Sequence, residues 1–377
     1  MTEPERRHRY RTVERTDLTE INGLLERVWF TTRSAAGFDW LCTDNPGQSG
    51  LAPGWVVETP EGRICAFLGN FIQRGWLNGE LQLVASGHTF VAAPGQGGRA
   101  LRLLRTFRQQ PEPGILAGLN ANPISARIYQ AMKLPEYPET GSLMLSWITN
   151  PVETAKGALS WRLHGLTNFY FAKRFKGAPR PKPDIDGILA KAGLDVARIE
   201  EPLADARLPA FDAELRQGPR LFTERSPEAL AWRLSDPDAA LQPVLLAYPA
   251  TGPIRGLAMF QYNKPSQAGP SHLDVIDLVT LDEHDGEAAQ NLMKAGLVLA
   301  KRSGVARLRL LLVTPPMLEL LGPVLDTARK THGSVPTSFY RIQFDISEPE
   351  PVYKFWQPLP YDGDHGPSLR PMPVRAV

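Results

Sequence analysis

Hydrophobic positions in the first third of the chain switch between two periods. Leu18, Ile21, Leu24, Leu25 and Val28 recur every three or four residues behind Thr16 and Asp17, which predicts a capped amphipathic helix. Phe38-Asp-Trp40-Leu then runs into Asp44-Asn-Pro46-Gly, a helix end and a turn. Trp55-Val-Val-Glu58 and Ile64-Cys-Ala-Phe-Leu68 flank Thr59-Pro-Glu-Gly62, the pattern of an antiparallel hairpin. Strand-like sequence continues from Gln82 and from His88 into a glycine-rich turn, Pro94-Gly-Gln-Gly-Gly-Arg-Ala100, and a helical run follows to Phe107. A strand at Gly114–Asn120 and a helix from Asn122 to Leu134 complete the series.

The second half repeats this order. Leu230-Ala-Trp232-Arg echoes Phe38-Asp-Trp40-Leu, and Val244–Tyr248 with Ile254–Met259 echo the hairpin around Gly62. Val275–Leu281, a helix from Glu287 to Lys301 and Leu308–Val313 follow, all displaced by roughly 190 positions, as a duplicated unit requires. The expected divisions are residues 1–150, a bridge at 151–187, a second copy at 188–346 and a Pro-rich tail at 347–377. The tail is expected to lie extended over the surface.

Chemistry concentrates at the glycine turn of the first copy. Gly95, Gly97, Gly98 and Ala100 let a ligand approach the backbone, and the helix behind them directs free N–H groups and partial positive charge at the same point, which makes an anion cradle. The turn also spells a dinucleotide-binding fingerprint, Gly95-x-Gly97-x-x-Ala100, but some eighty residues precede it where that fold would open with it. Downstream, Asn122, Ser125 and Tyr129 stand at N-x-x-S-x-x-x-Y spacing. Together the loop and this helix resemble the GNAT (GCN5-related N-acetyltransferase) superfamily over roughly residues 10 to 150. Gly97 stands where that family usually has Arg or Gln, with Gln96 one position early, and Lys133-Leu134 replace its Gly-Phe pair.

The resemblance implies an α/β fold with a mixed sheet, here two tandem GNAT-type domains, and an acetyl-CoA or other acyl-CoA co-substrate. It implies that Gln96, Gly97, Gly98, Arg99, Ala100, Arg102, Asn122 and Ser125 hold the co-substrate and that Tyr129 is the general acid for a departing thiolate. His88, which titrates near neutrality, and Glu80, at the start of the same strand, are the candidate bases. Arg105 and Arg108 read as a solvated basic face. In the second copy the turn reads Leu281-Asp-Glu-His-Asp285-Gly-Glu287, whose carboxylates would repel a pyrophosphate, so only the first copy is expected to bind CoA.

The expected reaction is acyl transfer, with acetyl as the group the resemblance implies, from acyl-CoA to a small-molecule, sugar or peptide amine. Two alternatives stand beside it. A FemAB-like enzyme would transfer to a cell-wall or polysaccharide precursor, and a non-catalytic module would bind acyl-CoA or a protein.

Bulk properties narrow the setting. A net charge of +2 does not argue for nucleic acid, and no nucleic-acid partner is expected. Cys42 and Cys65 carry no metal-ligand spacing and read as buried, inert thiols. No signal-peptide or membrane-span pattern is present, which makes the cytoplasm the expected compartment. Basic and aromatic residues interleave over 168–182, a candidate membrane-surface segment or, on the blander reading, a helix between domains with a stiff Pro-rich linker. Asp362-Gly-Asp364-His365 reads as a turn rather than a metal site, and no metal is expected.

Overall fold

The computed structural model describes residues 7–27, 32–48, 50–167, 183–239, 241–263, 269–332, 337–344 and 351–363. The chain builds two sheets from the same order of elements. In the first half these are β1 (Arg9–Thr12), α1 (Leu18–Arg27), α2 (Ala35–Cys42), β2 (Gly54–Glu58), β3 (Ile64–Leu77), β4 (Glu80–Ala92), α3 (Gly97–Arg108), β5 (Ile115–Ala121) and α4 (Pro123–Ala131). After β6 (Leu143–Ile148) and α5 (Pro151–Thr167) come α6 (Ile185–Ala192), β7 (Ala197–Ile199), α7 (Leu208–Gln217), β8 (Phe222–Thr223) and α8 (Pro227–Leu234). The second half continues with β9 (Val244–Tyr248), β10 (Gly256–Asn263), β11 (His272–Thr280), α9 (Gly286–Arg302), β12 (Arg307–Leu310), α10 (Pro315–Leu321), β13 (Arg329–His332) and β14 (Thr337–Ile342).

Local chemistry explains the elements. Ile21, Leu24 and Leu25 bury the predicted face of α1, while Asp17 sits in a preceding 3₁₀ turn, where it accepts the Glu14 N–H at 2.8 Å and pairs with Arg11 at 2.7 Å. Ser34 and Ser226 cap α2 and α8 through their side chains. The β3–β4 hairpin turns on Asn78-Gly79, both at positive φ (53° and 80°), the requirement of a two-residue hairpin loop that Asn-Gly meets without strain. Successive residues of β3 face opposite ways, so Phe67 joins the cluster under α1 while Leu68 joins Leu103, Leu104 and Phe107 of α3.

Strand order reveals an exchange between the halves. The first sheet runs β1-β2-β3-β4-β5-β14, with β8 added on β3, and the second runs β13-β6-β12-β11-β10-β9-β7. Thus β6, inside the 1–150 segment, is hydrogen-bonded between β12 and β13 of the second sheet, and β14, inside 188–346, pairs antiparallel with β5 of the first. The two sheets therefore do not part at the positions where the repeat divides.

A second junction lies where the repeat motif passes near its own copy. Trp40 and Trp232 stack with centroids 4.5 Å apart and planes at 13°. Each indole Nε1 donates to the other residue's carbonyl at 2.9 Å, across a sequence separation of 192. The pair is a local two-fold contact between the two occurrences of the repeated motif.

The tail departs from its expected surface course. Residues 351–363 bury Val352, Trp356, Leu359 and Tyr361, Trp356 bridges Leu221, and the Tyr137 hydroxyl donates to the Trp356 carbonyl at 2.9 Å. Its aromatic side chains carry too much apolar surface to remain in water when a groove between the sheets accepts them. Asp362 accepts from the Thr223 hydroxyl and from Arg225, which also makes a two-bond pair with Asp277 at 2.8 and 3.1 Å with no solvent exposure. Asp362 is thereby committed to the protein's own cation, while Asp364 and His365 lie outside the described residues. So does the whole of 168–182.

Replacing Trp40 by Ala should cost about 3–5 kcal/mol, because it deletes a buried aromatic ring with its stacking on Trp232 and removes the indole bond to the Trp232 carbonyl. Urea unfolding measures this. A cost under about 1 kcal/mol would mean that the exchanged strands alone hold the halves together.

Candidate functional site

Strands β4 and β5 run parallel but pair only over Val84–Ser86 and Ile115–Ala117. Upstream of the α3 turn, β4 bulges against β3 between Phe67 and Gly69, and Thr89 takes a φ of 54°. A bulge bends its strand, so β4 leaves β5 at this point and a fork opens between them. The helices that follow each strand, α3 and α4, cover the same side of the sheet and share a core through Leu103, Leu104, Phe107 and Tyr129.

The glycine turn stands at the fork's β4 side. Gly95 has a φ of 78°, and at Gly95, Gly97 and Gly98 an added Cβ would meet no heavy atom within 4 Å. The Arg99 and Ala100 N–H groups both return to the Gln96 carbonyl at 3.0 Å, so helix bonding begins there. The Gly97 and Gly98 N–H groups have no acceptor among the described residues, and the side-chain positions beside them are open. Bare donors at a helix start in open space suit the oxygens of a diphosphate.

Other loop residues have partners already. The Gln96 side chain accepts from Arg99 Nη1 at 2.9 Å, Arg102 stacks over the Tyr10 ring at 4.0 Å, and Ala100 turns its methyl into the core. Asn122 is the cap of α4, its Oδ1 accepting from the Ile124 and Ser125 N–H groups at 3.0 Å, with Pro123 in the first turn. The spacing that pointed to this helix is therefore also a capping motif.

Tyr129 reaches the fork itself. It packs against Phe339 at 5.3 Å, and an added Cβ on Gly118 would lie 2.9–3.0 Å from its ring and hydroxyl. Gly118 is the first residue of β5 beyond the pairing with β4, so the phenol sits where the strands part. A lone glycine within a strand pattern signals such a close approach, and this one was legible in Gly114–Asn120.

The two candidate bases lie elsewhere. Glu80 is exposed at the tip of the β3–β4 hairpin, paired with Leu77, six residues and so about 20 Å along β4 from Ser86. His88 is buried, edge-on to Phe67 of the α1 cluster and against Gly69, with Nδ1 2.9 Å from the Thr89 hydroxyl. Burial, and then Arg33, push it down to about 3. It is a neutral packed imidazole at neutral pH, on the side of the sheet away from Tyr129. Of the two thiols, Cys65 is buried and Cys42 partly so: Cys65 is pushed up, and Cys42 is pushed up to about 12, in each case chiefly by desolvation.

The second half keeps the frame but not the residues. Strands β11 and β12 pair over four residues, and β11 bulges against β10 between Met259 and Phe260. At the separation of 192 set by the tryptophans, Asn122-Pro123 corresponds to Thr314-Pro315, which again opens a helix. Gly118 and Tyr129 correspond to Leu310 and Leu321. The start of α9 is filled by carboxylates of the chain: Asp285 accepts from the Ala288 N–H and from Arg255 at 2.9 Å, and Glu287 pairs with Arg255 at 3.1 Å.

No family model matches the chain, and no curated protein does. Among solved structures it is similar to a GCN5-related N-acetyltransferase from Anabaena variabilis, at 15% identity and a TM-score of 0.52, over 89% of this chain and 73% of that one. A probable N-acyltransferase from Enterococcus faecalis matches at 12% identity and 0.50, over 89% and 72%. Saccharomyces cerevisiae N-myristoyltransferase matches at 12% identity and 0.50, over 91% and 82%. The shared feature is the fold, an α/β mixed-sheet arrangement of the GCN5-related N-acetyltransferase type, present here in two halves.

His88 gives this side of the sheet a pH signature. Its folded value lies near 3 against an ordinary 6.5, so between those values the unfolded chain binds more protons. Its contribution to stability is complete above about pH 6.5 and is lost as pH falls toward about 3. Urea midpoints taken from about pH 7 to 4 should fall less steeply in His88→Gln than in the parent chain; equal slopes would mean that the imidazole is solvated.

Proposed function

We infer that the first half transfers an acyl group, acetyl as the leading candidate, from acyl-CoA to an amine of a small molecule, sugar or peptide. The observation that supports this most is the placement of Tyr129 at the β4–β5 fork, beside a helix start with unused backbone donors, while the second half has leucines at the positions of Tyr129 and Gly118. Gly97 and Gly98 would hold the diphosphate, with Arg99 close enough in sequence to add a cation, and the α4 start would flank the pantetheine arm.

Bound acyl-CoA supplies a thioester whose C–S bond breaks as the amine nitrogen attacks the carbonyl carbon. Tyr129 gives its phenolic proton to the departing thiolate sulfur, a role suited to a group whose ordinary pKa near 10 matches a forming thiol. The proton lost by the amine passes to solvent, since His88 is sealed under α1 and Glu80 is remote. That separation also favours a second reading, acyl-CoA binding without turnover. The absence of a span-length apolar helix among the described residues accords with the cytoplasmic setting proposed here.

Calorimetry with acetyl-CoA, followed by thiol release over a panel of amines, tests both readings. Tyr129→Phe should lower turnover by about 10²-fold with little change in acetyl-CoA affinity. Binding with no turnover on any amine would leave the binding module, and a requirement for aminoacyl-tRNA would turn the assignment to a FemAB-like transfer. Gly98→Val should abolish binding and preserve the fold, because its side chain would occupy open space that the ligand needs. Gly286→Ala should leave affinity unchanged; a large drop there would place CoA in the second half.

A further inference from the structure

One face of the second sheet carries charge that the matching face of the first lacks. Side chains paired across neighbouring strands share a face, so the registers can be compared directly. In the first sheet Ile115 and Ala117 of β5 stand beside Val84 and Ser86 of β4 and Ile342 and Tyr340 of β14. This face is closed by an apolar cluster that includes Tyr137, Val352 and Trp356 of the tail. At the separation of 192, Ile115 and Ala117 become Arg307 and Arg309. Their neighbours in register are His272 and Asp274 on β11 and Ile148 and Ser146 on β6, and Ser146 is in turn opposite Arg329 on β13.

This cluster is incompletely satisfied. Asp274 takes both bonds from Arg309, at 2.7 and 2.8 Å, and one from Asn263. Arg307 and Arg329 have no acceptor among the described residues; burial, and then the charges of Arg329 and Arg309, push the Arg307 guanidinium down from its ordinary value. Ser146 is 1% exposed and its hydroxyl is unbonded, although its register position lies between Arg309 and Arg329. His272 is 7% exposed with Nδ1 unbonded, and it feels the charges of both Arg309 and Arg307. Buried polar atoms without partners are costly, and like charges gathered without counterions are costlier.

We propose that Arg307, Arg309, Arg329, Ser146 and His272 form a site for a phosphate group, separate from the acyl-CoA cradle of the first half. Among the described residues, three guanidiniums against the one carboxylate of Asp274 leave two positive charges, which a dianionic phosphate neutralises and a carboxylate does not. The Ser146 hydroxyl and the His272 ring supply neutral hydrogen bonds to its remaining oxygens. The site is independent of the catalytic reading, since no residue is shared with the β4–β5 fork.

Full-length protein titrated with inorganic phosphate, against sodium chloride at equal ionic strength, tests this by calorimetry and thermal unfolding. Phosphate should bind saturably and raise the unfolding temperature, and Arg307→Gln and Arg329→Gln should each weaken binding roughly tenfold or more. Gly98→Val should leave it unchanged. A parallel titration with glucose 6-phosphate separates sources: tighter binding of the ester indicates a phosphorylated ligand, and binding of phosphate alone indicates the free ion, each in keeping with the site. A shift no larger than that from chloride would overturn the proposal. So would undiminished phosphate binding in Arg329→Gln, whose exposed edge position lets the variant fold, as circular dichroism can check.

Discussion

The exchange of β6 and β14 is the constraint on which the rest of the structure depends. Each half ends in a strand whose backbone donors and acceptors are satisfied in the other half's sheet. Unpaired strand edges are costly when buried, so neither sheet is complete without both halves of the chain. Phe339 of β14, opposite Gly118, supplies the ring against which Tyr129 packs. The far end of the second half therefore shapes the fork of the first.

The reciprocal tryptophans and the tail reinforce that exchange in different ways. Trp40 and Trp232 join the halves through stacking and paired donors that leave neither indole N–H unsatisfied. The tail then fills the groove left over, and Arg225 with Asp277 and Asp362 is buried there. A buried ion pair is weak evidence for net stability; the two-bond pair with Asp277 fixes the Arg225 guanidinium, whose Nη1 then meets the tail's Asp362 at 3.4 Å. Arg233 adds a cation held between the rings of Phe71 and Tyr361 at 4.8 and 4.3 Å.

The two halves share backbone geometry more than side-chain chemistry. Both halves keep a parallel strand pair, a bulge beside it and a Pro-opened helix after it. What differs is whether a helix start is bare, as at Gly97, or filled by the chain's own carboxylates, as at Asp285. The face opposite those helices diverged too, apolar and sealed in the first sheet and rich in arginine in the second.

The sequence alone determined the elements whose signals are local: the glycine turn, the helix that follows Asn122, the hairpin around Gly62 and the repeat itself. Periodicity, turn chemistry and capping act within a few residues, so they can be read without a fold. It also carried the Asn78-Gly79 turn and the packing glycine at 118, which a closer reading of strand glycines recovers. Only the tertiary structure decided that His88 faces α1 and not Tyr129, because a side chain's face depends on where a bulge resets the strand's alternation. The same holds for the crossing of β6 and β14 and the burial of the tail. These follow from which edges and grooves remain open after the local elements have formed, and no stretch of sequence records that by itself.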